Sequence, residues 1–120
     1  MPDLGRLTTH VLDTANGKPA VGMSIEFSVR NGEGWKLIKT ITTNADGRTD
    51  EPLLAGDALR AGEYQLLFQV GDYFRRLGVV LPQPAFLERV PLMFGIADAS
   101  AHYHVPLLCS PWAYSTYRGS

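Results

Sequence analysis

Six polar residues stand at positions that an alternating strand pattern does not require: His10, Arg48, His102, His104, Arg118 and Ser120. An imidazole titrates near ~6.5, so close to neutrality it can take a proton from water and return one to a leaving atom. A guanidinium stays charged and offers a planar fork of donors to oxygen. Residues two apart on a strand share a face, so His102 and His104 point the same way, opposite Tyr103, Val105 and Leu107. If the odd-numbered set packs inward, these histidines face outward or into an interface. The same pair could bind a metal ion, with His10 as a third ligand and water as a fourth, although no Cys, Asp or Glu is spaced to complete such a site. Taken singly, each residue has a plain structural explanation as a surface or hydrogen-bonded imidazole, or as a solvated charge. Asp13 reads as a turn or cap residue, and Trp112 and Tyr114 as core aromatics. Cys109 reads as a small buried apolar group, because no positive or helix-terminal neighbourhood activates its thiol.

Strands have to carry these groups. Residues 6–13 (Arg-Leu-Thr-Thr-His-Val-Leu-Asp) are β-rich and end at the turn signal Asn16-Gly17-Lys18-Pro19. Met23, Ile25, Phe27 and Val29 then alternate with polar residues, and Asn31-Gly32-Glu33-Gly34 turns the chain into a returning strand from Trp35 to Thr43. The first two connections are therefore expected to be short and antiparallel. Asn44-Ala45-Asp46-Gly47 is a second turn that aims Arg48 outward from a rigid corner. Residues 51–62 read as loop, and Tyr64 to Val70 as a strand. Gly71 to Gly78 read as a helix of about two turns, with Asp72 as N-cap and a closing glycine. Strands are further expected over Phe86–Ile96, His102–Leu108 and Trp112–Tyr117, with a corner at Ser110-Pro111. Counting the short extended piece after Arg48, about eight strands at this turn spacing describe an all-β sandwich. The stretch from His102 to Ser120 holds histidines, aromatics and a terminal Tyr-Arg-Gly-Ser, where a chain end is usually loose and polar.

With 120 residues and no linker or repeat, residues 1–120 read as one domain, able to bury roughly two thirds of the unfolded chain's surface. Eleven Lys and Arg against 12 Asp and Glu leave a formal charge of −1, so no long-range field recruits nucleic acid or an anionic membrane. One cysteine cannot form an internal disulfide, which suits a reducing compartment. No run has the length of a membrane span, and Met1 to Arg6 lack the order of a secretory signal. The expectation is a cytoplasmic protein.

Four words in the chain change the weighing. Leu7-Thr8-Thr9-His10-Val11-Leu12-Asp13, Asp46-Gly47-Arg48, His102-Tyr103-His104-Val105-Pro106-Leu107-Leu108 and Tyr114-Ser115-Thr116-Tyr117-Arg118-Gly119-Ser120 resemble the signature stretches of the 5-hydroxyisourate hydrolases, the transthyretin-related enzymes of urate breakdown. Order and wording agree from residue 7 onward. The terminal Tyr-Arg-Gly-Ser is the most specific part, because transthyretin itself lacks it. Ala113 stands where glycine is expected, and residues 82–91 are richer in proline and charge than usual.

The resemblance implies a transthyretin-like sandwich of two four-stranded sheets with one short helix, assembled as a homotetramer of two dimers around a channel. It implies hydrolytic opening of 5-hydroxyisourate to 2-oxo-4-hydroxy-4-carboxy-5-ureidoimidazoline, with no cofactor and no metal. By matching positions it assigns His10, Arg48 and His104 to catalysis. The imidazoles would handle water, and the guanidinium would orient the substrate and stabilise charge. Tyr117, Arg118, Gly119 and Ser120 are assigned to substrate binding. His102 is not carried over and reads as a surface or supporting imidazole. Two other readings stand beside this one: a transthyretin-like carrier that does no chemistry, and a zinc-binding or purely structural sandwich.

Overall fold

The structure, a computed structural model, describes residues 4–120. In chain order its elements are β1 (Arg6–Asp13), β2 (Lys18–Pro19), β3 (Ser24–Asn31), β4 (Gly34–Thr42), β5 (Leu54–Ala55), β6 (Gly62–Phe68), a single α-helix α1 (Val70–Arg76), β7 (Val90–Ile96), β8 (His102–Cys109) and β9 (Tyr114–Ser115). One sheet has the order β4-β3-β6-β7, all antiparallel. The other runs β2-β1-β8-β9, and the short β5 also pairs with β1. The result is an all-β, transthyretin-like sandwich in which the second sheet has four strands in line plus the two-residue β5.

The first sheet follows directly from period-two alternation. Ile25 and Phe27 of β3 and Leu66 and Phe68 of β6 are fully buried, and each contributes roughly 1.5–3 kcal/mol through its removal from water. Asn31 and Gly34 face each other across the β3–β4 turn, where Gly32 takes a positive φ of 64°. The strand expected from Phe86 begins only at Val90. On α1 the N-cap is Gln69 rather than Asp72, which lies within the first turn, and Gly78 at φ 89° closes the C-terminal end.

The second sheet departs from expectation where it matters most. β1 is followed by the two-residue β2, antiparallel to it, and then by a change of sheet to β3, not by an antiparallel neighbour of similar length. Its long partner is β8, and the two run parallel from the Arg6–His102 pair to the Asp13–Cys109 pair. Leu7, Thr9, Val11 and Asp13 face the core beside Tyr103, Val105, Leu107 and Cys109, all buried, which leaves the even-numbered residues of both strands on the outer face. Thr9 donates its buried hydroxyl to the Val105 carbonyl at 2.7 Å and so locks the register. Asp13 closes the following turn by accepting from the Asn16 backbone N–H at 2.9 Å. It also accepts from the Tyr73 hydroxyl at 2.8 Å, which ties α1 to the end of β1.

The last strand is shorter than expected. Ser110 Oγ accepts from the N–H groups of Trp112 (3.2 Å) and Ala113 (3.1 Å), and this corner turns the chain outward. Trp112 and Tyr114 are consequently 60% and 45% exposed rather than core residues. Trp112 stacks on exposed Phe86 at 6.0 Å. Among the described residues no helix is long and apolar enough to cross a membrane.

Candidate active site

The turn after β4 delivers Arg48 to β1. Asn44 Oδ1 accepts from the N–H groups of Asp46 (2.9 Å) and Arg48 (3.1 Å), and the Gly47 carbonyl accepts from Val11 N–H at 2.8 Å. Gly47 sits at φ 74°, and a Cβ there would lie 2.5 Å from the Val11 carbonyl oxygen, so the approach requires glycine. Arg48 is thereby bridged to His10. On the neighbouring strand His104 presents its ring on the same outer face, with its centroid 6.4 Å from that of His10 and the planes tilted by 44°.

The terminal segment covers the far edge of β8. Gly119 N–H donates to the His104 carbonyl at 2.7 Å, and His104 N–H donates to the Gly119 carbonyl at 3.2 Å. A Cβ on Gly119 would come within 3.0 Å of His104 Cβ and 3.1 Å of its Cδ2, so the imidazole lies directly on bare backbone. Thr116 Oγ1 donates to the Pro106 carbonyl at 2.7 Å and anchors the approach to this segment.

A cleft of about 430 Å³ opens here, with Arg48, His104 and Ser120 in its wall together with Thr8, His102 and Arg6. His10 adjoins it through the His104 ring. Not every residue assigned by resemblance lies in this wall. The Arg118 guanidinium turns to the other side, where it donates to the His102 carbonyl at 3.1 Å and lies 4.3 Å over the Tyr103 ring. Tyr117 borders a separate groove of about 290 Å³, alongside Met93, Phe94 and Val105. With Gly119 set opposite His104, strand alternation carries its neighbour Arg118 away from that face. His102 is exposed and borders the cleft. Among the described residues no three His, Cys, Asp or Glu side chains gather as a metal site.

Thr8 is a cleft residue for which the sequence suggested no role. Its Oγ1 lies 2.8 Å from His104 Nδ1. Period two already placed Thr8 on the face of His10, but only the β1–β8 register puts it opposite His104.

The electrostatics favour neutral imidazoles. Burial lowers the His10 pKa below 6.5 and the Arg48 charge lowers it further, against a hydrogen bond to the Asp46 backbone and the Asp46 carboxylate, which oppose the shift. His104 is lowered by burial first, then by Arg48 and by His10. A depressed imidazole stays basic into mildly acidic solution. If both must be neutral, the acid limb of kcat/KM should lie below pH 6.5, with rates flat from there to pH 8. A pH–rate series checks this, and a limb centred above 6.5 would contradict it.

The HIUase/Transthyretin family profile matches residues 7–119. The chain is 61% identical over 120 residues to the 5-hydroxyisourate hydrolase 2 of Rhizobium meliloti (strain 1021), covering all of both chains. It is 62% identical over 118 residues to the 5-hydroxyisourate hydrolase of Mesorhizobium japonicum, covering 98% of this chain and 94% of that one. Among solved structures it superposes on (S)-allantoin synthase with TM-score 0.92 and 45% identity, covering 98% of this chain but spanning only 44% of the length of that one. The 5-hydroxyisourate hydrolase of Klebsiella pneumoniae gives TM-score 0.78 and 34% identity, covering 100% of this chain and 97% of that one. Sea bream transthyretin, in complex with thyroxine, gives 0.84 and 28%, covering 95% and 94%. Likeness of fold alone thus ranks this transthyretin above the Klebsiella hydrolase, whereas identity ranks these hydrolases above it.

Proposed function

Since the chain belongs to the HIUase/Transthyretin family, we propose that it is a hydrolase that opens the ring of 5-hydroxyisourate, giving 2-oxo-4-hydroxy-4-carboxy-5-ureidoimidazoline. The observation that carries this reading is the polar cleft in which Arg48 and His104 share a wall and His10 lies against the His104 ring. A carrier of an aromatic molecule needs apolar walls, and this cleft offers imidazole, guanidinium, hydroxyl and carboxylate groups.

In the proposed reaction water attacks a ring carbonyl and negative charge gathers on its oxygen. His10 and His104 hold and deprotonate the water, and the proton passes to the leaving ring nitrogen as the C–N bond breaks. Arg48 orients the substrate and stabilises the developing charge, a contribution of roughly 3 kcal/mol for a well-placed donor. Gly119 and Ser120 bind the substrate, through bare backbone and through the cleft wall respectively. Arg118 supports substrate binding by clamping the segment to β8, Tyr117 shares in that binding, and the protein assembles as a homotetramer of two dimers around a channel. Residues 1–120 act as one domain, and no nucleic acid, membrane or cofactor takes part. With its single cysteine buried, the chain suits the cytoplasm.

The test is an absorbance time course of freshly generated 5-hydroxyisourate, which decays spontaneously, so only the rate difference counts. Acceleration in proportion to protein, unchanged after exhaustive chelation, is expected. No acceleration, with tight retention of an aromatic ligand, would favour the carrier. Loss on chelation that zinc restores would make the histidines a metal centre.

A further inference from the structure

Two adjacent threonines on β1 have different tasks. Thr9 faces the core and gives its hydroxyl to the Val105 carbonyl. Thr8 faces outward, is paired in register with His104, and meets Nδ1 of that ring at 2.8 Å while bordering the cleft. With Nδ1 engaged by Thr8, Nε2 is the nitrogen of His104 left free for chemistry. Arg48 lines the same cleft, and its positive charge favours the tautomer that turns a lone pair, not an N–H, toward the cation. A hydroxyl can donate or accept, so Thr8 fits that tautomer by accepting from Nδ1–H. Such a partner on the far nitrogen fixes both the tautomer and the orientation of a basic imidazole.

We propose that Thr8 is a positioning residue that accepts the Nδ1–H of His104 and so leaves Nε2 unprotonated and aimed into the cleft as the base for water. This deepens the hydrolase reading and rests on it. In the step it serves, a water O–H bond breaks as its oxygen bonds to the ring carbonyl carbon. The proton goes to Nε2, and from there to the ring nitrogen as the C–N bond breaks, so His104 returns to its starting form. The hydroxyl of Thr8 neither gains nor loses a proton.

Thr8→Val keeps the β-branched shape and removes the acceptor, whereas Thr8→Ser keeps the acceptor. Thr8→Val should lower kcat by about 10- to 100-fold, a part of what a general base provides, with KM changed by less than about 3-fold. Thr8→Ser should stay within about 3-fold of the unmodified protein. Nitrogen-15 NMR of the His104 ring at pH 7.5, without substrate, supplies a readout that needs no turnover. It should show unprotonated Nε2 in the unmodified protein and in Thr8→Ser, and a mixed or reversed tautomer in Thr8→Val. A protonated Nε2 in the unmodified protein, full kcat in Thr8→Val, or equal losses in both variants accompanied by equal falls in Tm would each overturn the proposal. Should the unmodified protein fail to accelerate ring opening, the hydrolase reading falls, while the NMR result still decides whether Thr8 sets the tautomer.

Discussion

A protein cut after Thr116 should fold and show no ring opening above the spontaneous rate. Its core is intact, because every buried apolar side chain of the described residues lies at or before Cys109. Thr116 still donates to the Pro106 carbonyl, so the approach to β9 stays anchored. The cut removes the two backbone hydrogen bonds between Gly119 and His104, the surface on which the imidazole rests, and Ser120 from the cleft wall. It also removes Arg118 from above Tyr103, an exposed cation–π contact worth about 0.5–1 kcal/mol. With each lost hydrogen bond worth a net of about 0.5–1.5 kcal/mol, the expected cost in stability is a few kcal/mol, seen as a lower Tm with the cooperative transition retained. A thermal melt beside the absorbance assay separates the two effects. Turnover near that of the full chain would refute the placement of substrate against this segment.

Arg48→Gln should lower kcat/KM by about 10²- to 10³-fold, as loss of one donor to a developing oxyanion does elsewhere. The fold should tolerate it. Arg48 is exposed, and its turn is held by its backbone N–H on Asn44 Oδ1 and by Gly47, neither of which the substitution touches. A second signature accompanies the loss. The Arg48 charge is among the causes that hold both His10 and His104 below their ordinary value, so its removal lets both pKa values rise. A raised pKa keeps the protonated, inactive form to higher pH, so the acid limb of the residual activity moves upward. A fall in rate without that movement would mean that Arg48 acts on substrate but not on the imidazoles. Unchanged kcat/KM would remove Arg48 from the chemistry.

The alternation of Ile25 with Phe27 and of Leu66 with Phe68 made the antiparallel sheet readable in advance, because period two and a four-residue turn are local properties. Partnership between distant strands is not local. Nothing in residues 6–13 says that they pair, in parallel, with 102–109. The same limit explains Thr8, whose role depends on a cross-strand neighbour 96 residues away. Trp112 and Tyr114 misled because an aromatic in a strand-like run signals burial, whereas the Ser110 corner swings both into solvent. Asp72 carries the right cap chemistry at the wrong position, since the helix starts at Val70. His10, Arg48 and His104 were legible through the wording of their segments, and the structure sets them on one outer face. Arg118 was legible as present but not as directed, since only the pairing of Gly119 with His104 decides which way its neighbour turns.

During synthesis β1 emerges first and its partner β8 among the last segments. Joining them closes a loop of almost the whole chain, and that entropy is spent before any contact returns it, so this pairing belongs to the slow, late part of folding. The β3–β4 hairpin and the β6–β7 pair need no such wait. A nascent or trapped chain can therefore own one finished sheet and still be catalytically silent, with the edge of β1 open to other strands. On refolding, enzymatic activity is therefore expected to return late, only once β1 and β8 have paired.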